Sequence, residues 1–155
     1  MRGINFRGKT KINGDWIHGY YAELDGDSVI MVDLEKGKNK DDHDVVNHAF
    51  YRVIPETVGQ FTGEEVWLRS GVLKEKVKLF EWDNISFCIP DRVGNLLSHV
   101  GTVYWCNCCF WIDCTDTEGE EGIYGLSSVI IQDDNVEIVG NSHDNLELWE
   151  AINES

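Results

Sequence analysis

Proline is nearly missing from this chain: only Pro55 and Pro90 occur in 155 residues. With no low-complexity tract either, the chain lacks the composition that prevents collapse, and order is expected outside short loops. Lysine ends at Lys78, and Arg92 is the one basic residue after it. Residues 81–155 therefore carry 1 basic side chain against 15 acidic ones, a net of −14, while residues 1–80 carry 12 against 13, a net of −1. Such a field repels phosphate backbones and disfavours direct nucleic-acid binding by the C-terminal half. The first eleven residues run the other way, with Arg2, Arg7, Lys9, Lys11 and no acid. The acidity reads either as solubility, or as a surface built for a basic partner, or as one imitating nucleic acid.

A long apolar run is missing too. None follows the basic start Met1–Arg7, so no secretory signal is expected. The longest uncharged stretch, Val93–Ile112, has the 20 residues of a membrane span. It carries Asn95, Ser98, His99, Asn107, Gly94 and Gly101, whose polar groups would need partners inside lipid. A turn followed by a buried strand accounts for it better. Five cysteines are present, an odd number, with Cys106, Cys108, Cys109 and Cys114 clustered and Cys88 apart. Without a signal this points to free thiols in a reducing cytoplasm, not a disulfide framework.

What is there reads as strands. A chain of this length can bury roughly 68–70% of its unfolded surface without staples. Asn13-Gly14 and Asp25-Gly26 are hairpin signals, because a type I′ turn needs positive φ at both central positions. They separate candidate strands Ile4–Lys11, Asp15–Leu24 and Asp27–Asp33. Residues 34–48 lack an apolar period and read as an exposed loop. Its His43 and His48, with Asp41, Asp42 and Asp44, match no metal-spacing rule. Further strands are expected at Phe50–Ile54, Val66–Arg69, Val72–Phe80, Ile85–Ile89, Ile123–Ile131 and Val136–Val139, with a compact turn at Glu56–Gly63 and an acidic one at Asp116–Gly122. Gly101–Cys114 reads as one strand that is apolar on both faces, hence covered twice or meeting another subunit. Ser142 or Asp144 can cap a terminal helix whose Leu146, Trp149 and Ile152 recur at helical spacing.

The search for chemistry finds no catalytic, cofactor-binding or metal residue to name. Cys106, Cys108 and Cys114 share one parity, but a zinc site wants paired ligands from turns, and cysteines on one strand face stand about 7 Å apart. Buried packing is the reading adopted for these thiols. A catalytic cysteine needs a base within hydrogen-bond reach, and His99 lies across an expected turn. Gly59-Gln60-Phe61-Thr62-Gly63 lacks the lysine and spacing of a phosphate loop, and neither a Gly-x-Ser-x-Gly nor a His-Glu-x-x-His motif occurs. The adjacent acids Glu64-Glu65, Glu120-Glu121 and Asp133-Asp134 read as solvated turns.

Several segments resemble the YopX family of phage and prophage proteins. They are Ile4–Lys9 followed by Gly14–Tyr21, the stretch Val53-Ile54-Pro55-Glu56-Thr57-Val58-Gly59-Gln60-Phe61-Thr62-Gly63, Leu79–Ile85, Gly101–Trp105 with Phe110, and Val136–Asn141 with Asp144–Leu148. Trp82 stands where that family usually has glycine, and residues 64–78 depart from its Asn-Gly-containing linker. The resemblance implies a mainly β protein: an N-terminal β-meander, residues 1–63, then a small SH3-like β-barrel with a short C-terminal helix, residues 64–155. It implies a phage or prophage origin and the cytoplasm of a bacterial host, and no activity. The function expected is a non-enzymatic protein-interaction module whose partner is a protein, foremost a second copy of the chain, with no membrane, no direct nucleic-acid binding and no small-molecule substrate identified. The alternatives are an acidic nucleic-acid mimic that blocks a host DNA-binding protein, and a small metal- or thiol-dependent enzyme using Cys106–Cys114.

Overall fold

The computed structural model describes residues 5–38, 40–41, 44–70, 73–90, 93–114 and 122–144. The protein is mainly β and divides into two compact units between Phe61 and Thr62.

The first unit is an antiparallel meander. Strands β1 (Phe6–Lys9), β2 (Trp16–Leu24), β3 (Asp27–Lys38) and β4 (Asp44–Arg52) lie in sequence order, and the start of β5 (Gly59–Ser70) pairs with the other side of β1. Asp25 and Gly26 take φ of 51° and 82°, as a two-residue I′ turn requires. The segment expected as a loop, 34–48, is instead crossed by β3 and β4 in the register Lys36↔Val46, Gly37↔Val45, Lys38↔Asp44, after a bulge between Asp33 and Lys36. Ladder pairing uses main-chain groups, so a polar sequence without apolar alternation still pairs once the preceding rungs align it. Ile30 and Val53 are fully buried. Thr57, in a 3₁₀ turn over Pro55–Thr57, accepts from the Lys9 N–H at 2.9 Å and donates to the Ile54 carbonyl at 2.6 Å, fixing the chain where it leaves β4.

The second unit holds the rest of β5 with β6 (Leu73–Phe80), β7 (Asp83–Pro90), β8 (Leu96–Cys106), β9 (Cys109–Cys114), β10 (Ile123–Gly125), helix α1 (Leu126–Gln132) and β11 (Glu137–Asn141). Its strand order is β10-β9-β8-β7-β11-β5, with β6 also on β5. Among the described residues no pairing joins β10 to β6, so the sheet is open and the expected closed barrel is not formed. Strand β11 enters between β7, antiparallel, and β5, parallel. The core gathers Leu79, Ile85, Phe87, Val103 and Ile112 under α1, which contributes Leu126 and Val129.

Two expectations need correction here. Gly101–Cys114 is not one strand but most of a hairpin, β8 and β9, turning at Asn107-Cys108. Ile123–Ile131 is not one strand either: it is β10 followed by α1. The β-branched run Val129-Ile130-Ile131 favours a strand, yet Leu126 and Val129, one helical turn apart, seat on the core and override that preference. The expected terminal helix beyond Asp144 and most of the acidic turn at Asp116–Gly122 lie outside the described residues.

Candidate functional site

The cysteine hairpin comes first, because the sequence singles it out. Asn107 and Cys108 take φ of 50° and 63°, a I′ turn built without glycine. Cys106 stands directly opposite Cys109, Trp105 opposite Phe110, and Tyr104 opposite Trp111. The Trp105 and Phe110 rings meet edge-on with centroids 4.7 Å apart, and the Trp111 indole N–H donates to the Cys106 carbonyl at 2.9 Å. One face of the hairpin is covered, because Val103 and Ile112 pair in the core under α1, while Tyr104 and Trp111 pair on the other face. The reading of its thiols as buried packing is overturned for three of them: Cys106, Cys108 and Cys109 are exposed, and Cys114 alone of the cluster is buried. Tyr104, on the same hairpin, is held above the ordinary phenol range, first by desolvation and then by the Asp113 carboxylate and Cys106.

His99 is not placed to activate these thiols. It is buried in β8 between Phe87 and Tyr124, with ring centroids 5.5 and 5.2 Å away. Cys106 follows it by seven residues on the same strand, a run of about 23 Å at ~3.3 Å per residue. Cys114 is nearer, since it pairs with Gly101 two residues beyond His99, but both side chains are buried. Among the described residues no group of three or more His, Cys, Asp or Glu side chains is arranged to hold a metal ion. His48 lies 2.8 Å from Asp33 across β3 and β4, while His43 and Asp42 fall outside the described residues.

The first unit carries a surface that sequence reading missed. Tyr20 pairs with Met31, and Met31 with Phe50, so the three stand in one row on one sheet face. Tyr20 and Phe50 are 52% and 54% exposed. On the same face, the Arg7 guanidinium sits over the Trp16 ring at 4.6 Å, and Lys9 at 5.4 Å. Arg52 and Lys11 both reach Asp27, at 3.3 and 3.6 Å. The row ends on β4, last in the strand order, whose outer side is taken at its C-terminal end, where the Arg52 carbonyl accepts from the Lys11 N–H at 2.9 Å. Two signals pointed to it, Tyr20 in alternation on β2 and Phe50 after the polar tract. Reading that tract as a loop separated them.

The second unit has an acid-lined cleft of about 340 Å³. Glu64, Glu65, Asp133 and Asp134 line it with Trp67 and Lys76. Lys76 lies over the Trp67 ring at 5.0 Å, and the Trp67 indole donates to the Asp134 carbonyl at 3.1 Å. Asp133 accepts from the Cys88 and Asn135 N–H groups, each at 2.8 Å, so it braces the cleft wall. The sequence presented these acids as solvated turns, and only the fold brings the pair from β5 and the pair after α1 to one place.

No helix among the described residues is long and apolar enough to cross a membrane. No family model, curated protein or solved structure matches this chain.

Proposed function

We propose that this chain is a non-enzymatic protein-interaction module that associates with a second copy of itself through the open face and edge of its first unit. The observation that carries the reading is the exposed row Tyr20–Met31–Phe50 ending on an edge strand. An edge strand offers unpaired main-chain groups, and antiparallel pairing with another chain extends both sheets. Antiparallel pairing of two copies about His48 uses the outer main-chain groups that precede Arg52, because the Arg52 carbonyl already accepts from the Lys11 N–H at 2.9 Å. In that register Phe50 lies opposite position 46 of the second copy. The resemblance to the YopX family supports a phage or prophage origin and action in the cytoplasm of a bacterial host. Light scattering over a concentration series tests the reading. A dimer is expected, and Tyr20→Ser with Phe50→Ser weakens it at least tenfold while circular dichroism keeps its β signature. A monomer at the highest concentration removes it.

A second reading, mimicry of nucleic acid, is favoured by the acidic cleft and by the charge of residues 62–155, which carry 5 basic and 18 acidic side chains for a net of −13. It is tested by capture from a bacterial lysate at low salt, where a DNA-binding protein is expected among the bound material. Its absence there ends this reading.

A further inference from the structure

We propose that Cys106 and Cys109 form a reversible dithiol–disulfide site that exchanges with small-molecule disulfides of the glutathione class. Three observations carry it. The two residues are directly opposed in register, one on each side of a two-residue turn. Both are exposed, so an external disulfide can reach either sulfur. Opposed residues in an antiparallel pair have Cα atoms about 4.5–5.5 Å apart, inside the roughly 4.4–6.8 Å window that a disulfide spans.

The other thiols are placed differently. Cys114 is buried against Gly101, and Cys88 lies on β7 opposite Ser98. Cys108 occupies the turn itself in the left-handed region, off the ladder that brings Cys106 and Cys109 face to face. Opposed Cβ atoms stand about 4.5–5.5 Å apart, wider than the ~3.8 Å mean across a disulfide. Bond formation therefore draws the last rung of the hairpin inward. Strain of this kind makes a disulfide readily reducible, which suits a bond that forms and breaks with the redox state of its surroundings.

The exchange balances without any other reactant. One thiol loses its proton to solvent, and its thiolate attacks a sulfur of the small disulfide, breaking that S–S bond and expelling one small thiolate. The second cysteine, deprotonated in turn, attacks the protein-side sulfur of the mixed disulfide, forms the Cys106–Cys109 bond and expels the second small thiolate. The pair loses two electrons, and the small disulfide is reduced to two thiols.

The test treats the reduced full chain with oxidised glutathione, blocks remaining thiols and reads the intact mass. The expected product is about 2 Da lighter than the dithiol, one hydrogen lost per sulfur, with two of the five cysteines unreactive to the blocking reagent and fragmentation placing the link at Cys106 and Cys109. Cys108→Ser keeps the internal bond. Cys106→Ser and Cys109→Ser stop at a mixed disulfide and lose it. Glutathione adducts on the wild-type chain with no internal bond, or an internal bond abolished by Cys108→Ser, overturns the proposal. All three sites are exposed, so each variant retains the core.

Discussion

Cys108 holds a left-handed backbone at φ 63°, a region that costs an L-residue roughly 1–2 kcal/mol and glycine almost nothing. Asn107-Cys108 is thus a I′ turn with the wrong second residue, where Asn-Gly would be the favoured pair. Cys108→Gly is expected to raise stability by about 0.5–1 kcal/mol after the added freedom of the unfolded glycine is subtracted. The midpoint of urea unfolding measures this, and an unchanged or lower midpoint contradicts it. Trp82 makes a comparable departure at φ 74°, between β6 and β7. Its main chain is held on both sides: the N–H donates to the Val103 carbonyl at 2.8 Å and the carbonyl accepts from the Ser142 N–H at 2.9 Å. Its ring meets His143 edge-on at 6.2 Å, a contact that glycine would forfeit.

At the scale of elements, the β8–β9 hairpin depends on one close approach. A Cβ on Gly101 would lie 2.5 Å from Ile112 Cγ2, 2.8 Å from Cys114 Sγ and 2.9 Å from the Asp113 carbonyl oxygen. Gly101→Ala is therefore expected to destabilise the second unit by roughly 1–3 kcal/mol, the usual range for overpacking a filled core. Thermal unfolding reads the loss, and a melting temperature equal to wild type would show that the sheet yields there. Elements were legible where turn chemistry spoke plainly. Asp25-Gly26 marked the β2–β3 hairpin, and the alternation of Lys74, Lys76 and Lys78 marked β6. They were illegible where the main chain acted against its side chains. Asn107-Cys108 turns without glycine, β3 and β4 extend through a tract with no apolar period, and α1 forms from β-branched residues because Leu126 and Val129 find the core. The candidate surfaces were harder still. The row Tyr20–Met31–Phe50 exists only through register, and the cleft only through the meeting of residues 64–67 with 133–136.

At the scale of the whole molecule, charge is the property that sequence alone settles. A formal charge of −15 and a sequence pI near 4.5 favour solubility at neutral pH. They also shape how the mimicry reading behaves. Attraction between an acidic surface and a basic partner is screened within about 10 Å at 0.1 M salt and about 3 Å at 1 M. A captured DNA-binding protein held in this way is accordingly released as salt rises, and retention unchanged at 1 M would assign the contact to apolar burial instead. Self-association through β4 depends on main-chain pairing and aromatic contact, so it should respond far less to salt.

The position of β11 has a consequence for synthesis. The strand lies between β7 and β5, and Glu137 pairs with Trp67, a partner made 70 residues earlier. At ~5–20 residues per second, a ribosome needs roughly 4–14 s to bridge that interval; β5 waits throughout it, and β7 from its own synthesis onward, on a neighbour that does not yet exist. The nascent chain must keep that gap unfilled by strangers, so a message cut short before residue 137 would release a sheet missing its central slat.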